Sequence, residues 1–150
     1  MQNAEACVNS SQQKGIDSMN LPQPEGIVTV ASTLSVAETL VHLEAAIQAK
    51  GLTLFAHIDH SGAASEVGLT MPPTHVLIFG SPRSGTPLMV AVPLLALELP
   101  LKALVWQDPA GQVWVSYTSS TYLTQRFAIP AELAKNIAGI DNLIQSALHS

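Results

Sequence analysis

Three residues in close succession carry the most chemistry in this chain: His57, Asp59 and His60. On an extended strand His57 and Asp59 point the same way, about 7 Å apart along the backbone. A carboxylate beside an imidazole can orient it as a general base, and the same side chains could bind a metal ion or a non-covalent haem. Turn chemistry competes with both, because Asp and His ahead of Ser61-Gly62 are natural capping residues. A zinc site needs three or four placed ligands, and only Glu66 and His75 offer themselves as additions. No metal ligand set or cofactor is assigned on this basis.

A second polar stretch runs Gly80-Ser81-Pro82-Arg83-Ser84-Gly85-Thr86. Its glycine spacing resembles a phosphate loop, but Thr86 stands where the lysine of that motif belongs, so nucleotide hydrolysis is unsupported. The segment reads as a loop leading into a helix, with Thr86 as its cap and Pro87 in its first turn. Free N–H groups there, with Arg83 and Ser84, could hold a carboxylate or phosphate. There is no Gly-x-Ser-x-Gly elbow. The single cysteine, Cys7, lies far upstream of both stretches, so there is no internal disulfide, no Cys-x-x-Cys motif and no covalent haem attachment.

Elements must bring these residues together. The 150 residues suit one domain. Residues 1–24 are rich in Gln, Asn and Ser and read as a flexible arm, leaving 25–150 as the folded part. A short β-branched run, Ile27 to Ala31, is a first strand. Ser35-x-x-Glu38 is a capping box, followed by Val36, Leu40, Leu43 and Ile47 at helical spacing. Gly51 and Leu52 supply a Schellman ending to a helix over 35–50. Leu52 to Asp59 alternates as a strand, with Leu54, Ala56 and Ile58 on one face and Phe55, His57 and Asp59 on the other. His60 to Gly62 is a turn, and Ala63 to Leu69 a short helical piece.

His75 to Phe79 is apolar on both faces, as in a central strand covered twice. The segment Leu88 to Leu99 is an apolar helix bent or ended by Pro93, either core, pocket wall or dimer face. Met71 and Met89 read as core fillers. Leu101 to Trp106 and Val113 to Thr118 form a hairpin through a type I turn, Asp108-Pro-Ala-Gly111, with Trp106 and Trp114 packed across it. Ser119 caps one helical turn. Pro130 opens a last helix with Leu133, Ile137, Ile140, Ile144 and Leu148 in one stripe. The order β-α-β-(α)-β-α-β-β-α implies a two-layer α+β sandwich built on a mainly antiparallel sheet of about five strands.

The motifs His57-Ile-Asp59-His60-Ser-Gly62-Ala63, Pro72-Pro73, Ile78-Phe79-Gly80-Ser-Pro82, Gly85-Thr86-Pro87-Leu88-Met89, Leu99-Pro100-Leu101-Lys102 and Val105-Trp106 occur in an order that resembles the domain of unknown function 302 family. The resemblance spans about Ile27 to Tyr122. It implies a small α+β domain that often forms dimers, and it supplies no activity.

Charge narrows the partners. Only 11% of residues are charged and the net charge is −5, against a usual charged fraction of roughly 25%. The six cations, Lys14, Lys50, Arg83, Lys102, Arg126 and Lys135, are scattered, so a nucleic-acid footprint or a polybasic membrane patch is disfavoured. So few charges imply a surface partly covered by a second copy. The opening residues lack the basic and apolar regions of a secretory signal, and no apolar run is long enough to span a bilayer. The resulting expectation is a cytoplasmic homodimer that binds a small ligand near His57, Asp59, His60, Arg83, Ser84 and Thr86. An acid–base enzyme using Asp59 with His57 or His60 is one alternative, and metal or haem binding through those histidines is another.

Overall fold

The structure, a computed structural model, describes residues 23–149. Nearly all of the expected arm, with Cys7 and Lys14, lies outside these residues. Strand β1 (Ile27–Ser32) leads into helix α1 (Val36–Ala49). Ser35 and Glu38 form the reciprocal capping box, with Oγ accepting from the Glu38 N–H and Oε2 from the Ser35 N–H. The helix ends as its sequence requires. Gly51 takes φ +70°, a left-handed conformation that costs other residues, and Leu52 N–H donates to the Ile47 carbonyl.

Strand β2 (Thr53–Asp59) is followed directly by helix α2 (His60–Glu66), then β3 (Thr74–Gly80) and helix α3 (Pro82–Ala91). A short 3₁₀ segment, Pro93–Leu97, precedes β4 (Leu101–Gln107) and β5 (Val113–Thr118). Three helices close the chain: α4 (Ser120–Arg126), α5 (Ala131–Ala134) and α6 (Ile140–Leu148). The sheet has the order β1-β5-β4-β3-β2 and every pairing is antiparallel. Helices α1 and α6 pack together and cover one face. The fold is therefore the α+β sandwich that the element order implies.

Leu77, Phe79, Ala103, Val105 and Val115 point to that helical layer and meet Leu43, Ile47 and Ile144, all fully buried. A second apolar cluster gathers Leu88, Leu95, Leu123, Ile129 and Ile137 at one end of the sheet.

Several expectations need correction. Helix α3 starts at Pro82 with Ser81 as its N-cap, so Thr86 does not cap it and Pro87 lies inside it. Two prolines competed for the first turn and the earlier one took it. Gly80 to Gly85 is consequently the end of a strand and the start of a helix rather than a phosphate-type loop. The expected last helix is two, α5 and α6, because its apolar stripe serves two cores. Leu133 and Ile137 join the second cluster, while Ile140, Ile144 and Leu148 join the first. A straight helix could not reach both, and the break falls at Lys135 to Gly139.

A bulge in β2 also reverses part of the expected alternation. Leu54 pairs with Phe79 but Ala56 pairs with Ile78, leaving Phe55 as the extra residue. Leu54 thus shares the helical face with His57 and Asp59, while Ala56 and Ile58 lie on the opposite one. Strand β3 is internal, but while Leu77 and Phe79 are buried, Val76 and Ile78 on its other face are only half-buried, so it is not covered equally on both sides. Met71 is exposed rather than a core filler. Trp106 and Trp114 do pair across the hairpin, with ring centroids 6.3 Å apart.

Candidate functional site

The strand register decides the first question about the site. Asp59 pairs with His75, at the start of β3, whereas Gly80 at its other end pairs with Thr53. Five residues of strand, about 17 Å, separate the two polar stretches. Asp59 and Thr86 therefore lie at opposite ends of the β2–β3 pair and share no recess. The expectation of one site holding all six residues fails because an antiparallel turnaround carries the chain away from Asp59 before it reaches Gly80.

At the Asp59 end the side chains form a line. Glu44 Oε1 on α1 lies 3.4 Å from His57 Nδ1. His57 Nε2 and His75 Nδ1 are 2.9 Å apart and share a hydrogen bond. His75 Nε2 lies 3.7 Å from Asp59 Oδ1. One of the two nitrogens in the His57–His75 bond must donate and the other accept, so the tautomer of each ring is set by the other.

Asp59 itself is committed elsewhere. Its Oδ1 accepts from the Gly62 N–H at 2.8 Å and from Ser61 Oγ at 2.7 Å, capping α2. These bonds, the backbone one first, hold its carboxyl below the usual carboxylate range. A Cβ at Gly62 would stand 2.4 Å from the Asp59 carboxylate, so a larger residue there would make the capping side chain shift. His60 is exposed at the start of α2. Among the described residues no group of three His, Cys, Asp or Glu side chains converges as metal ligands.

The other end of the sheet is different in kind. A recess of about 470 Å³ opens where the two apolar clusters meet, within the range of small-ligand sites. It is bounded by the end of β3, the first turns of α3, the cis Leu99–Pro100 segment and the start of α6. Leu52, Phe55, Met89, Leu99, Leu101 and Ile140 make it largely apolar. Ser81, Ser84, Thr86, Asn142, Lys50 and Lys135 supply its polar groups. Asn136 secures the wall by donating from Nδ2 to the Ser84 carbonyl at 3.0 Å.

Of the six expected ligand residues, Ser84 and Thr86 line this recess, and Arg83 is exposed outside it. His57, Asp59 and His60 take no part. Sequence reasoning missed Lys50, Phe55, Lys135 and Asn142 as site residues. Lys50 and Leu52 were legible as the end of a helix, and the bulge at Phe55 left no mark in the residue pattern. Within Leu88 to Leu99, core and pocket wall both occur: Leu88 and Leu95 are buried, while Met89 and Leu99 face the recess.

Comparison with known proteins adds family and fold. A solved structure described as an uncharacterized conserved protein DUF302 from Bacillus stearothermophilus superposes with a TM-score of 0.70, covering 83% of this chain and 97% of that one at 22% identity. At that identity the likeness concerns the fold alone. Over 104 residues, 69% of the chain, it is 41% identical to a Brucella suis protein named fluoride-specific ion channel FluC 1, and equally to one of that name from Brucella abortus. The chain spans only 41% and 38% of those relatives. No described helix is long and apolar enough to cross a membrane. The family model for the domain of unknown function DUF302 matches residues 28–149, and the chain belongs to that family.

Proposed function

We propose that this protein is a small-ligand-binding domain, acting as a cytoplasmic homodimer, whose ligand occupies the recess beside residues 80–86. The observation that carries this reading is the recess itself: about 470 Å³ of mostly apolar space with a few polar groups at its edge, the usual composition of a ligand site. The His57–His75 line has proton-carrying groups but borders no part of that space, which favours binding over acid–base catalysis. Conduction is not carried over from the Brucella proteins, because the chain spans about two fifths of their length.

The neutral dye N-phenyl-1-naphthylamine tests the reading, since it brightens on leaving water. Its fluorescence should rise saturably with a Kd of order 10 µM, about −7 kcal/mol. No saturable rise would sink the recess as a ligand site.

The homodimer has its own support. The face of the sheet away from α1 and α6 carries Ile58, Val76, Ile78, Leu104 and Trp106, with Ile58 40% exposed. A shallow groove of about 420 Å³ crosses it over Leu104 and Trp106. Contiguous apolar surface of this kind marks association sites. Sedimentation at micromolar concentration should give a dimer for the wild type and a monomer for Leu104→Glu, which sets two like charges into the interface. A monomeric wild type would remove the homodimer.

A further inference from the structure

We infer that the ligand of the recess is an anionic amphiphile, with a carboxylate head taken by Lys50 and Lys135 and an apolar body against Phe55, Met89 and Leu99. The inference rests on the reading of the recess as a ligand site and adds the chemical class. Cations are scarce here: among the described residues they are Lys50, Arg83, Lys102, Arg126 and Lys135. Lys102 Nζ donates to the Glu98 and Pro100 carbonyls, and Arg126 pairs with Glu98 at 3.6 Å. Arg83 is exposed outside the recess.

The remaining two both border the recess, and neither makes an ion pair among the described residues. No Asp or Glu lines it. In a protein of net charge −5, two exposed lysines at the rim of a space with no acid, one of them at the C-terminal end of α1, are the side chains available to an anionic head. A neutral ligand would leave those lysines unused. A fully polar anion would leave the apolar walls facing water. A single molecule with both parts satisfies both.

Decanoate and decanol share one alkyl chain and differ in the head, so their displacement of N-phenyl-1-naphthylamine isolates the charge. Decanoate should bind at least about tenfold more tightly than decanol at low salt, a difference of about 1.4 kcal/mol. In the Lys50→Met/Lys135→Met double variant the two should come within about twofold, and saturable binding of the dye by that variant shows that the recess remains intact. Equal affinity in the wild type, or a preference that survives the double substitution, overturns the inference while leaving the recess as a ligand site. Failure of the dye and decanol alike to bind overturns both.

Discussion

Gly85→Leu should weaken dye binding by more than tenfold while leaving the fold intact. Gly85 sits in the first turns of α3 and lines the recess. A Cβ built there meets only Met89 Cε at 3.7 Å and Leu99 Cδ1 at 3.9 Å, ordinary contacts with two other lining residues. A leucine side chain therefore has room to begin and extends into the space the ligand needs. Its backbone is helical, where replacing glycine by leucine contributes roughly 0.5–1 kcal/mol of stability through propensity alone. The substitution thus separates occupancy from folding. Unchanged dye affinity in a folded variant would mean that the dye sits elsewhere.

Asp108→Ala should lower stability by about 3 kcal/mol at neutral pH, the largest loss expected from a single polar side chain here. Asp108 is buried at the turn between β4 and β5. Its Oδ2 accepts from Trp114 Nε1 at 2.9 Å, and its Oδ1 from the Ala110 and Gln112 backbone N–H groups, each at 2.9 Å. Removing the carboxylate leaves the indole N–H, in a residue only 7% exposed, without its acceptor. The same bonds, the Trp114 one first, hold the Asp108 carboxyl below the usual range.

The sign of the pH effect follows. A carboxylate with a depressed folded-state pKa contributes stability that is fully present above its unfolded value, about 3.9, and is lost as pH falls through the folded value. Urea unfolding should show the gap between wild type and Asp108→Ala constant from pH 5 to 8 and closing only in acid below about pH 4. A gap under about 1 kcal/mol at neutral pH would contradict the role assigned to these bonds.

Much of the fold was legible because its signals are local. The capping box at Ser35 and Glu38, the Gly51 ending and the Asp-Pro-Ala-Gly turn each depend on a few neighbouring residues, and each is present in the structure. The errors were non-local. Whether Pro82 or Pro87 opens α3, and whether one helix or two follows Pro130, depends on which core the apolar residues reach. The recess is harder still, because it draws on Lys50, Phe55, Gly85, Leu99 and Asn142 from separate segments. Ser84 and Thr86 were found through their position before a helix, and His57 and Asp59 through their residue types. That these pairs lie at opposite ends of the sheet depends on β2 and β3 being antiparallel neighbours, a long-range pairing that no local signal carries.

Amide chemical shifts on titration with N-phenyl-1-naphthylamine test the location of the ligand directly. The largest changes are expected at Phe55, Gly85, Thr86 and Asn142, with His57, Asp59 and His60 still. Changes centred on His57 to Gly62, with Gly85 and Asn142 unmoved, would mean that the ligand does not occupy the recess.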